Sequence, residues 1–170
     1  MKKVILIFFC VTICCIQNIF AQDIVLPKLV LKTADDYAKY EKDVINAARW
    51  LQDTPFNVKV LQRKQVSAFI VKWVGGSPTV LVEMYPVILD FDQKNEGMLV
   101  LFMAGCARYV LENNDTTDAK AKYMFAFRGL ISMYKSGNGI SKDKKMEKLI
   151  KLDESGKLDE WLKENFPFNK

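Results

Sequence analysis

Apolar residues recur along this chain at helical spacing. Tyr37, Tyr40, Val44, Ala48 and Leu51 fall three or four positions apart, which places them on one face of a helix. Thr33 stands ahead of them as an N-cap, Asp36 completes a capping-box pair, and acids in that first turn suit the helix dipole. Pro55 ends this helix near Asp53. A second helix is expected from a cap at Asn57 through Val74, with Leu61, Gln65, Phe69 and Trp73 on one face and Val66 and Ile70 widening it. The rival reading is a strand at SAFIVKWV, dense in β-branched and aromatic residues; the Leu-Gln-Arg-Lys-Gln lead-in favours helix.

Gly75 fits a left-handed residue closing that helix, and Pro78 forbids its continuation. Residues 79–84, TVLVEM, are brief and β-prone and read as extended, and Pro86 to Asp92 as a short helical turn. Asn95 and Glu96 open a third long helix through about Leu111, apolar on nearly every side, so it belongs in the middle of the core. After a turn at Asn113-Asn114-Asp115, Thr117 caps a helix carrying Tyr123, Phe127, Leu130 and Tyr134 down one face, which Gly137-Asn138-Gly139 stops. Ser141 begins a further helix with Met146, Leu149 and Ile150 inward, closed by Gly156. Lys157 to Phe166 form the last, anchored by Leu158, Trp161 and Leu162. The expectation is an all-α fold, a compact bundle of about six helices with room for one short extended segment near residues 79–84. No self-similar unit recurs at a fixed period, which argues against a solenoid.

The start of the chain has a different pattern. Lys2 and Lys3 precede an apolar run from Val4 to Ile16, and Ile19-Phe20-Ala21 offers a cleavage site ending on a small residue, the layout of a secretory signal peptide. The run is shorter than the roughly 20 residues of a spanning helix. Cys10 follows Phe9, Cys14 follows Ile13 and Cys15 follows Cys14, none of which fits a lipoprotein site well. The expected organisation is therefore a leader over 1–21, a lead-in over 22–32, one helical domain over 33–166 and a tail over 167–170, with the product periplasmic or secreted after cleavage near Ala21.

Composition then removes chemistries. The chain has no histidine, which takes away the commonest general base and zinc ligand and with them Ser-His-Asp and Cys-His catalysis. Only Cys106 lies beyond the leader, in an apolar setting that reads as buried and inert. Asp90-Phe91-Asp92 starts like a calcium loop, but Lys94, Asn95 and Leu101 occupy later positions the motif needs for other residues. Neither a metal nor a cofactor is expected. Losing the leader removes Lys2 and Lys3 and no acid, bringing the net charge from +5 to +3. Lysines interleaved with acids make a solvated surface, and no nucleic-acid footprint is expected.

What remains is WVGGSPTVLVEM. Trp73, Ser77, Thr79 and Glu83 are candidate ligand-binding residues, since the backbone N–H groups of such a turn can hold an anion. The plainer reading is that glycine and proline simply punctuate two elements. Glu83, Asp90 and Asp92 are the carboxylates an acid–base pair would draw on, and their plainer role is solvation and capping. Trp50, Tyr85, Tyr109, Trp161 and Phe168 are aromatics able to serve a contact surface, each more often core. The expected function is a non-catalytic binding or interaction module for a protein, peptide or glycan. The alternative is a small-ligand carrier or carboxylate-based enzyme with its site near Gly75–Glu83.

Taken together, AFIVKWVGGSPTVLVEM, MLVLFMAGCARYVLENN, AKAKYMFAFRGLISMYK and KMEKLIKLDESGKLDEWLKENF resemble small secreted helical proteins of Bacteroidota with unassigned function. The likeness covers most of residues 60–166 and implies export and a helical domain, without a mechanism. In such exports an Asp followed by Thr and a small or apolar residue can carry an O-linked glycan, which makes Thr116 of Asp115-Thr116-Thr117 a candidate acceptor; a helix cap explains the same residues.

Overall fold

The structure, a computed structural model, describes residues 23–168; the leader expected over 1–21, with Cys10, Cys14 and Cys15, lies outside the described residues. Those residues fold into helices alone: α1 (Ala34–Ala38), α2 (Glu41–Asp53), α3 (Val60–Val74), α4 (Pro86–Asp92), α5 (Met98–Asn113), α6 (Ala119–Ser136), α7 (Lys144–Glu154) and α8 (Leu158–Asn165). The all-α expectation is met, and the two helices beyond the expected six are α1, split from α2, and the short α4. No helix among the described residues is long and apolar enough to cross a membrane.

At the centre lies α5. Every residue from Leu101 to Ala107 is buried, as its all-round apolarity predicts. It packs against α2, α3, α4 and α6, while α7 and α8 pack on α6. The contact between α5 and α6 is close: a Cβ on Gly105 would stand 2.9 Å from the Cα of Ala126. The same glycine, with Gly129 of α6, leaves a notch filled by the Gln52 side chain of α2. Arg108 holds that side chain there, donating to Gln52 Oε1 at 2.6 Å. Around this axis Phe91, Phe102, Tyr123, Phe127 and Phe166 meet edge-on or tilted, with ring centroids 4.9–5.9 Å apart.

Several expected boundaries move, each for a physical reason. The first helix breaks at Lys39–Tyr40. Asp36 does act as the box acid, accepting from the Thr33 and Lys32 amides at 2.9 Å. The Lys39 ammonium beside it and those amides hold its carboxyl well below the usual range. Tyr40, however, leaves helical geometry at φ −108° and ψ 2°, and its hydroxyl ties to the lead-in, donating to Lys28 O and accepting from Val30 N–H.

The second helix starts at Val60, behind Lys59 in a left-handed conformation with φ 49°, rather than at Asn57. Its buried stripe is Arg63, Val66, Ile70, Trp73 and Val74 with Phe69, while Leu61 and Gln65 are exposed. SAFIVKWV is helical, and the strand rival fails. Gly75 is right-handed, with φ −63°. The glycine that space demands is Gly76, where a Cβ would collide with the Tyr37 hydroxyl. Asn95 opens no helix: its amide pairs with the backbone of Ser141, donating to Ser141 O at 3.0 Å and accepting from Ser141 N–H at 2.7 Å. Gly97, at φ 99°, precedes α5 instead. The caps of α6 and α7 are Asp118 and Asp143, which accept from Ala121 and Lys145 N–H at 2.8 Å, rather than Thr117 and Ser141.

Arg63 is the one buried cation on this stripe. Its guanidinium donates to Thr54 O at 2.6 Å and Leu51 O at 3.1 Å, carbonyls left open at the end of α2, and lies 4.1 Å from the centroid of the Phe56 ring. Burial pulls its pKa down to about 10, still charged at neutral pH. Arg63→Met removes both donors while keeping the stem's bulk. Its unfolding free energy from urea titration is expected to fall by about 2–4 kcal/mol, and a loss within error of zero would refute the capping role.

Candidate functional site

Between Gly75 and Tyr85 the chain leaves α3 and crosses to α4 without regular structure; the extended segment expected near 79–84 forms no strand pairing. Side chains satisfy its backbone instead. Ser77 Oγ accepts from Thr79 N–H at 3.3 Å and Val80 N–H at 3.1 Å, closing the turn after Pro78. Val80 is buried and Val82 half-buried, so alternate residues face the core. From α6, Lys122 Nζ donates to Leu81 O at 2.7 Å. One turn position on, the Tyr123 hydroxyl accepts from Glu83 N–H and donates to Glu83 O, both at 3.2 Å. A residue directs its N–H and C=O toward one atom when the chain is extended, as across a β-ladder. Tyr123 thus stands where a neighbouring strand would.

The four sequence candidates part company here. Trp73 has no exposed surface, and its indole N–H donates to Tyr37 O at 3.1 Å, so it serves the junction of α1 and α3. Ser77 and Thr79 come together, their hydroxyls 3.2 Å apart at the turn. Glu83 is exposed and accepts from the Tyr85 hydroxyl at 2.6 Å, a bond that raises the phenol above its ordinary pKa. The residues that organise the segment, Lys122 and Tyr123, lie 40 positions downstream. The only hint of them in the sequence is a Lys-Tyr pair at the buried start of a helix.

The other carboxylates and the thiol are committed elsewhere. Asp92 Oδ1 accepts from Gly97 and Leu99 N–H at 2.9 Å, capping α5 across a groove of about 480 Å³ that Arg63, Phe56 and Glu96 also line. Asp90 pairs with Lys145 at 2.8 Å. Cys106 is fully buried in α5, where burial pushes its thiol well above the usual range. Thr116 is exposed in its turn, whose hydrogen bonds run from Thr117 and Asp118 to Asp115 Oδ1. The aromatics proposed as contact surface are largely structural. Trp50 is buried, Tyr85 stacks edge-on to Phe166 at 5.1 Å, and Phe168 lies 5.7 Å from Tyr123.

Tyr123→Phe deletes the two bonds to Glu83 and keeps the ring in the core. Hydrogen exchange at the Glu83 amide is expected to accelerate at least tenfold relative to amides of α5, at a cost of about 1–3 kcal/mol in global stability. Unchanged protection at Glu83 would show that Tyr123 does not fix the segment. No family model, curated protein or solved structure matches this chain.

Proposed function

We propose that this chain is an exported, non-catalytic binding module that takes an extended peptide segment of another protein along residues 81–84. The single observation that carries the reading is the clamp on Glu83. With the Glu83 N–H and C=O both turned to Tyr123, the alternation of an extended chain turns those of Val82 and Met84 the opposite way. No hydrogen bond within the described residues engages the Val82 or Met84 backbone. That leaves a short row of open donors and acceptors, the condition in which a sheet edge accepts an added strand. Apolar side chains flank the row: Leu81 is 70% exposed and Met84 42%.

Rigidity supports the reading further. Because Ser77, Lys122 and Tyr123 already hold the segment, a partner strand meets an ordered edge, and the ordering cost falls on the partner alone. Each added main-chain bond is worth about 0.5–1.5 kcal/mol net, so specificity rests with the pockets beside Leu81 and Met84. Export rests on the leader pattern of residues 1–21 and on the resemblance to secreted Bacteroidota proteins. Thr116 remains the proposed glycan acceptor, its side chain exposed and outside the hydrogen bonds that close its turn.

The test uses a capped hexapeptide of alternating valine and threonine and its counterpart N-methylated at alternate residues. The unmodified peptide is expected to shift the Val82 and Met84 amide resonances on titration, with affinity at least tenfold above the N-methylated form. Val82→Pro, which removes an outward N–H and no internal hydrogen bond, is expected to abolish the shift of the Met84 amide, with thermal unfolding followed alongside because the half-buried Val82 side chain packs on the core. Equal binding of the two peptides, or shifts that bypass residues 81–84, would overturn the proposal.

A further inference from the structure

A second site lies apart from the crossover's hydrogen-bonding edge. Helices α4, α7 and α8 enclose a slot of about 210 Å³. Its floor is Phe91 and Leu149, each nearly fully buried, and its sides are Val87 and Leu152. The end wall is the half-buried indole of Trp161, braced edge-on by Phe127 at 5.3 Å and Phe166 at 6.0 Å, so the ring holds one orientation. The Asn165 side chain, at the rim, donates to Trp161 O at 2.8 Å, which turns its own carbonyl oxygen away from that bond.

Charge at the mouth is unbalanced. Asp90 is neutralised by Lys145 and accepts in addition from Gln93 at 3.0 Å. The side-chain ammonium of Lys148, one turn further along α7 and exposed at the same slot, has neither an ion pair nor a hydrogen bond among the described residues. An apolar slot with one uncompensated ammonium at its rim selects an apolar body bearing one negative charge. The volume falls below the roughly 300–1,000 Å³ typical of pockets for drug-sized molecules, so the body is a single ring or a short branched chain.

We infer that the slot between α4, α7 and α8 binds a small apolar carboxylic acid, its ring or chain against Trp161 and Phe91 and its carboxylate at Lys148. This site rests on no part of the peptide reading and survives that reading's failure. The same uncompensated Lys148 disfavours cationic ligands, while neutral ligands gain the apolar contact and forgo the charge-assisted bond. The three tryptophans report separately, because Trp73 sits in the core and Trp50 on α2.

The test titrates the intact protein with 3-phenylpropionate, 3-phenylpropanamide and 3-phenylpropylamine while following the indole N–H resonances, with Trp161 assigned through Trp161→Phe. The acid is expected to move the Trp161 signal saturably and to leave that of Trp73 in place. The amide is expected to bind about tenfold more weakly, and the amine more weakly still. Lys148→Gln is expected to bring the acid down to the amide's affinity without changing the amide's. Acid and amide binding equally, a Lys148→Gln protein that keeps its preference for the acid, or a Trp161 resonance unmoved by every probe would overturn the inference. The first two readouts need no folding argument, since Lys148 is exposed and one comparison uses the native chain.

Discussion

The approach of α6 to α5 at Gly105 governs where everything else sits. A helix apolar on all sides has to be covered on all sides, and α5 achieves this by letting one neighbour come to backbone contact. Gly105 against Ala126 is that contact. Nothing larger fits between them, so the two axes cannot separate without opening a void along the core. Gly105 and Gly129 together also admit Gln52, whose amide Arg108 holds, and this ties α2 to the same axis. Once α6 is placed, Phe127 is set among Phe91, Phe102 and Trp161, and Tyr123 reaches the crossover.

A second device recurs on this scaffold. Three tyrosine hydroxyls, each based on or beside a helix, both accept from an amide and donate to a carbonyl of an irregular segment. Tyr40 serves Val30 and Lys28 of the lead-in, Tyr123 serves Glu83 of the crossover, and Tyr134 serves Asp143 ahead of α7. The Asn95 amide does the same for Ser141. Buried or half-buried backbone that cannot join a helix must find partners, and here it finds them on side chains. Each of these connecting segments is thereby tied to the helices by a side chain that serves an N–H and a C=O of its backbone.

Helix periodicity carried most of the fold. Val44, Ala48 and Leu51, or Phe127 and Leu130, needed only a 3.6-residue count, and the continuous apolarity of α5 announced its central place. What stayed hidden depends on partners remote in sequence. Tyr40 reads as another core position of one long helix, because its true partners, Lys28 and Val30, belong to a segment with no pattern of its own. Arg63 stands in a run that reads only as helix-favouring, because its acceptors are the last carbonyls of the preceding helix. Phe69, Trp73, Val66 and Ile70 face inward as their spacing predicts, but the first turns of that helix turn Arg63 to the core and leave Leu61 and Gln65 in solvent. At the crossover, Glu83 is legible as a polar residue in a β-prone stretch, but the hold of the Tyr123 hydroxyl on its backbone is not. The slot at Trp161 is built from three helices at once, which no local pattern announces.

The close approach at Gly105 is tested most directly by the sign of a single substitution. In an ordinary helix interior, glycine to alanine stabilises by about 1 kcal/mol through backbone entropy. At Gly105 the added methyl would meet the Ala126 Cα at 2.9 Å, a backbone atom that can move only if the helix moves. Urea unfolding of Gly105→Ala, set beside Gly129→Ala, whose neighbour is the movable Gln52 side chain, separates the two effects. The account predicts that Gly105→Ala lowers the unfolding free energy by about 1–3 kcal/mol and that Gly129→Ala costs less. A Gly105→Ala protein more stable than the parent would contradict it.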